Sequence, residues 1–132
     1  MASREQLEQL RHFAYSEWKH PELVDSTAAV WLDGIRTHCG FPLVLTSDAR
    51  TPEENAAASG SSPTSLHLLG RAFDLQWVDD PERLWRLVDA VYLVSGERAV
   101  ELELVNSAQD RHVHLGLYPD DGHRSRLLIR AD

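Results

Sequence analysis

Two stretches of alternating character constrain the fold of this chain more than anything else in it. Across residues 71–77, Phe73, Leu75 and Trp77 are apolar while Ala72, Asp74 and Gln76 are small or polar. Across 111–118, Val113, Leu115 and Leu117 alternate in the same way with His112, His114 and Gly116. A period of two marks a strand with one face on a core, so Asp74, His112 and His114 all point away from that core. If the two strands neighbour each other in one sheet, Asp74 and His114 meet on its non-core side. His67, in the turn-rich approach to Gly70, can then fold over to join them. Two imidazoles and a carboxylate supply three deprotonatable ligands, the number a catalytic zinc site uses while its fourth position stays open to water. The pattern points to a metallohydrolase, although the same three ligands suit several other first-row metals.

Elsewhere the reading is α+β: a small antiparallel sheet carrying the metal site, packed against helices. Ser3 with Gln6 resembles a capping box, and Leu7, Leu10, Phe13, Ala14 and Trp18 recur at helical spacing, which predicts a first helix over about 3–18. Asp25 or Ser26 caps a second helix with Val30, Trp31, Ile35 and Cys39 on its apolar side and Gly40 as its stop. Residues 41–46 read as a first strand, Pro52 opens a short third helix, and 59–63 form a loop leading into the metal motif. Pro81 opens a fourth helix carrying Leu84, Trp85, Val88, Val91 and Tyr92 and closing near Gly96. Residues 99–105 and 111–118 then form a hairpin, with 126–129 as an edge strand. One domain spans 1–132, helical over about 3–39 and with its metal-site core over about 41–118.

The long motif is more specific than any one of its residues. Ser65-x-His67-x-x-Gly70-x-Ala72-x-Asp74, followed by His112-x-His114, resembles the signature of the zinc D-alanyl-D-alanine carboxypeptidase family, whose superfamily also holds phage endolysins, vancomycin-resistance dipeptidases and the amino-terminal domain of hedgehog. Upstream, residues 43–55 are similar to the family's strand, Ser-Gly-Tyr-Arg-Thr turn and short helix ending in Asn, with Asp48 and Ala49 standing where glycine and an aromatic are usual. The resemblance covers roughly 41–118.

The resemblance implies a zinc ion held by His67, Asp74 and His114, and a carboxylate that takes the proton of the zinc-bound water. Glu103 leads for that role because it lies nearer the hairpin loop than Glu101 and on the same face; Asp110, close to His112 in sequence, competes, and Glu101 comes third. Arg50, which taken alone reads as a surface ion pair, matches the family arginine that grips a substrate carboxylate or polarises the scissile carbonyl. His112 matches the histidine that hydrogen-bonds substrate or stabilises the oxyanion. Ser65 supports substrate or the first ligand, or is a plain turn residue. Gly70 and Ala72 permit close backbone approach. His12, His20, His38 and His123 read as structural, and Trp18, Trp31, Trp77 and Trp85 as core.

The implied function is hydrolysis of peptidoglycan stem peptides, as a carboxypeptidase or endopeptidase of the phage-endolysin kind. A zinc-binding module without catalysis is the alternative, and a D,D-dipeptidase a third. With 42% hydrophobic and 26% charged residues the composition is that of an ordinary globular domain. A net charge of −8 without a basic run argues against nucleic acid or anionic membrane surfaces as partners. Cys39 is the only cysteine, which excludes an internal disulfide and a thiolate zinc site. The amino terminus has no signal-peptide pattern, and no apolar run reaches the ~20 residues of a membrane span. The expectation is a monomer, cytoplasmic as synthesised and, if an endolysin, released to the wall by a separate system.

Overall fold

The computed structural model describes residues 1–58, 64–120 and 122–131. The loop expected over 59–63 lies outside the described residues. The expected strands become β1 (Leu45–Ser47), β2 (Ala72–Gln76), β3 (Val100–Asn106), β4 (Arg111–Leu117) and β5 (Arg126–Arg130), in the sheet order β1-β2-β4-β3-β5. The adjacency on which the site depends is present: β2 and β4 are antiparallel neighbours, with Asp74 opposite His114 and Gln76 opposite His112. On the other side of β4, Glu103 stands opposite His114 and Glu101 opposite Gly116. β5 lies parallel to β3, so the sheet is mixed where an antiparallel one was expected.

One face of the sheet is dry. Phe73, Leu75, Leu102, Leu104, Val113, Leu115 and Leu117 are buried there against α2 (Ser26–Cys39) and α4 (Pro81–Ser95). The Trp31 indole N–H of α2 donates to Ser95 Oγ of α4 at 2.9 Å, which satisfies a buried donor and fixes the two helices against each other. Asp25 caps α2 by accepting the Ala28 N–H, and Gly40 ends it in the left-handed conformation at φ 80°. The short α3 (Pro52–Ala57) begins with a capping box between Thr51 and Glu54. Among the described residues no helix is long and apolar enough to cross a membrane.

Three further expectations change. The first helix is short: α1 covers Arg4–Glu8, and a separate 3-10 turn covers Tyr15–Glu17. Most of its apolar spacing was genuine, since Leu7, Phe13 and Trp18 are buried and Leu10 partly so, whereas Ala14 is exposed. But Asp33 accepts the backbone N–H groups of Arg11 and His12 at 2.9 Å each, and those donors are lost to a continuing helix. β1 is also shorter than 41–46, beginning at Leu45. Finally, the apolar stripes were misassigned at their edges. On α4 the buried stripe runs through Leu87, Val88 and Val91, which leaves Trp85 57% exposed and Tyr92 outward; on α2 Val30 faces solvent.

The amino-terminal segment wraps the metal motif, and Gly70 is where the two touch. Gly70 has φ 68°, and a Cβ placed on it would lie 2.0 Å from the Leu23 carbonyl oxygen and 2.9 Å from the Asp25 nitrogen. The Asp25 N–H donates to the Gly70 carbonyl at 3.0 Å, so neither backbone can retreat without breaking that bond. Gly70→Ala is therefore expected to destabilise the protein by about 3 kcal/mol or more, from left-handed strain plus a backbone clash. Urea unfolding checks this; a loss below about 1 kcal/mol would mean that the segment yields easily.

Candidate metal centre

The site is built on the solvent-facing side of β2 and β4, with a 3-10 turn, Leu66–Leu69, folded over it. Ser65 begins that turn by accepting the His67 N–H at 3.2 Å, and Gly70 ends it. The turn is then clamped from both sides: the Arg50 N–H donates to the His67 carbonyl at 2.9 Å and the Arg71 N–H to the Leu66 carbonyl at 3.0 Å. His67 is left 2% exposed and Asp74 8% exposed, so both are positioned by packing and neither by chance contact.

His67, Asp74 and His114 each turn one ligand atom inward, and these atoms all lie within 4.8 Å of one another. Asp74 Oδ1 stands 3.1 Å from His114 Nδ1 and 3.5 Å from His67 Nε2. What the outer nitrogens do decides whether the set suits a cation. His67 Nδ1 lies 2.6 Å from the Asp48 carbonyl oxygen, which can only accept, so Nδ1 carries the hydrogen and Nε2 presents its lone pair to the centre. His114 Nε2 lies 2.9 Å from Glu101 Oε1, so it likewise donates outward and leaves Nδ1 as the inner atom. Imidazoles oriented in this way by a carbonyl and a carboxylate are the arrangement that metal-ligating histidines use. The three residues fit a divalent cation.

Asp74 also meets Arg50, whose Nη2 lies 3.2 Å from Oδ2. Burial, the largest single influence on Asp74, raises its carboxyl pKa, but the hydrogen bond with His114 and the neighbouring His67 ring outweigh it and hold the group well below the usual carboxylate range. Burial likewise pushes His114 down, and its bonds to Asp74 and Glu101 overcome this, raising it to about 9. Glu101 is lowered, chiefly by its bond to His114.

A His raised from about 6.5 contributes stability that is fully present below pH 6.5 and is lost as pH climbs through 9. In chelator, the thermal midpoint should fall between pH 6.5 and 9 by more in the native chain than in His114→Gln. Parallel profiles for the two proteins would contradict this.

The other sequence candidates divide. Asp110 Oδ1 lies 2.9 Å from His112 Nδ1, and His112 Nε2 lies 3.9 Å from Asp74 Oδ1, so this pair borders the centre. Glu103 shares the face but forms an ion pair with Arg130 of β5. Glu101 is engaged at His114 Nε2, the ring atom that does not face Asp74, and also accepts from the Tyr118 hydroxyl at 2.9 Å. Its role in orienting His114 was not read from the sequence, because it needs the register of β3 on β4. Asp48 was noticed only as a departure from a turn pattern; its carbonyl turns out to orient His67.

The Peptidase M15 family model matches residues 7–115. No curated protein matches the chain. The matched span contains His67, Asp74 and His114 and the turn of His67, and it takes in most of the chain. From the motif, the mixed sheet that presents it and this match, the chain belongs to the peptidase M15 family, the zinc D-alanyl-D-alanine carboxypeptidase family that its motif resembles.

Proposed function

We propose that this peptidase uses zinc, held by His67, Asp74 and His114, to hydrolyse peptide bonds in peptidoglycan stem peptides. The observation that carries the reading is the pair of fixed imidazoles: the Asp48 carbonyl and Glu101 take the outer N–H groups and leave both inner nitrogens turned to Asp74. Bound there, zinc would polarise the scissile carbonyl and acidify a water molecule at neutral pH.

The chain's own residues supply the rest. Asp110 accepts the Nδ1 hydrogen of His112 and so leaves Nε2, at the edge of the centre, to take a proton from water and return it to the departing amine. Arg50, 20% exposed at its side chain and bonded to only one oxygen of Asp74, has donors left for a substrate carboxylate or carbonyl. Ser65 serves by starting the turn that carries His67. Within this reading an endolysin acting at the cell wall is the form we favour, with release to the wall by a separate system.

A second reading, zinc binding without hydrolysis, is favoured by the pairing of both β3 carboxylates, Glu103 with Arg130 and Glu101 with His114. Digestion of purified cell walls, with product peptides identified by mass, separates the two. New amino termini that vanish in chelator and return with zinc support the peptidase. One bound zinc with walls left intact supports the binding module.

A further inference from the structure

Asp48 makes two sets of contacts that meet at the first ligand. Its carboxylate is buried, the residue being 1% exposed, and accepts the backbone N–H of Lys19 at 2.7 Å and of His20 at 3.3 Å. Its carbonyl accepts the Nδ1 hydrogen of His67 at 2.6 Å. We infer that Asp48 is a positioning residue for the metal centre: its side chain, anchored on the amino-terminal segment, fixes the peptide whose carbonyl sets the His67 ring. This rests on the reading of His67, Asp74 and His114 as metal ligands.

The physical argument is one of freedom removed. A carbonyl orients an imidazole only as well as its own peptide plane is held. Here the plane is held by a carboxylate with two backbone partners. The same amino-terminal segment touches the far end of the His67 turn, where the Asp25 N–H donates to the Gly70 carbonyl at 3.0 Å. Residues 19–25 thus grip the turn from two sides. Lost partners that orient a ligand typically weaken metal binding 10–100-fold.

Asp33 provides the control. It is also a buried carboxylate, accepting the N–H groups of Arg11 and His12 at 2.9 Å each, and so pins the same segment without touching a ligand or its partner. The experiment titrates cobalt(II) into wild type, Asp48→Ala, Asp48→Asn and Asp33→Ala, reading visible bands and affinity, with thermal midpoints alongside. Asp48→Ala should bind cobalt about 10–100-fold more weakly with shifted bands, and Asp48→Asn should fall between it and wild type, since one acceptor remains. Asp33→Ala should lose comparable thermal stability yet stay within about twofold of wild-type cobalt affinity, because its contacts are remote from the ligands. Wild-type affinity and bands in the Asp48 variants, or an equal loss in Asp33→Ala, would overturn the inference and leave the metal reading standing. Wild type that takes up no cobalt overturns the metal reading itself. If Asp48→Ala does not fold, Asp48→Asn against Asp33→Asn decides by the same criteria.

Discussion

His114→Ala is expected to strip the metal and abolish peptide hydrolysis together. The substitution removes Nδ1, one of three inward ligand atoms, and leaves Asp74 and His67 as a two-residue site. It also leaves Glu101, partly buried, without its imidazole partner, so what remains is a poor substitute for the original. A ligand bound only by the folded state adds about 4 kcal/mol when present at a thousand times its dissociation constant. Loss of that contribution should lower the thermal midpoint in zinc-containing buffer by roughly 10 °C or more. The gap should narrow when both proteins are melted in chelator, because only the wild type had zinc to lose. Calorimetry with and without chelator makes the comparison. Equal wild-type and variant midpoints in zinc would show that the cation binds elsewhere.

The proton acceptor gives the second large effect. Asp110→Asn keeps the shape of the Asp110–His112 contact while removing the charge that holds the imidazole with Nε2 toward the centre, and His112→Gln removes the acceptor itself. Each should retain zinc, and His112→Gln should lower kcat by roughly two to four orders of magnitude, the usual worth of a positioned acid–base group. Glu103→Gln should change kcat less than about tenfold, since that side chain is paired with Arg130 and lies on the β3 side of His114. Steady-state kinetics on a defined stem peptide, at matched zinc content, decides. If Glu103→Gln costs the large factor and His112→Gln does not, the acceptor sits on β3, where the sequence alone placed it.

The sheet's site-bearing strands were legible because alternation in 71–77 and 111–118 is a local property, and the side-chain period then fixed which residues share a face. Those patterns put Asp74 and His114 on one face once the strands are neighbours, and the fold sets them directly opposite each other. The first helix was misread for the opposite reason. Leu7, Phe13 and Trp18 do face the core, but a carboxylate twenty-two positions away, Asp33, competes for the backbone at Arg11. No local pattern carries that. The site divides along the same line. Its candidate ligands belong to a motif readable in one pass, whereas the orienting partners Asp48 and Glu101 act through a carbonyl and a cross-strand diagonal, and both exist only after folding. Trp85 shows how coarse an apolar stripe is: one step around α4 from Leu84 it is more than half exposed.

Metal content of the native chain, purified without added ions and measured by mass spectrometry, addresses the centre most directly. One zinc per chain in wild type, and little or none after Asp74→Ala or His114→Ala, is the expected result. A wild type devoid of metal that also takes up none from micromolar zinc, or full zinc occupancy in His114→Ala, would contradict the assignment of His67, Asp74 and His114 as its ligands.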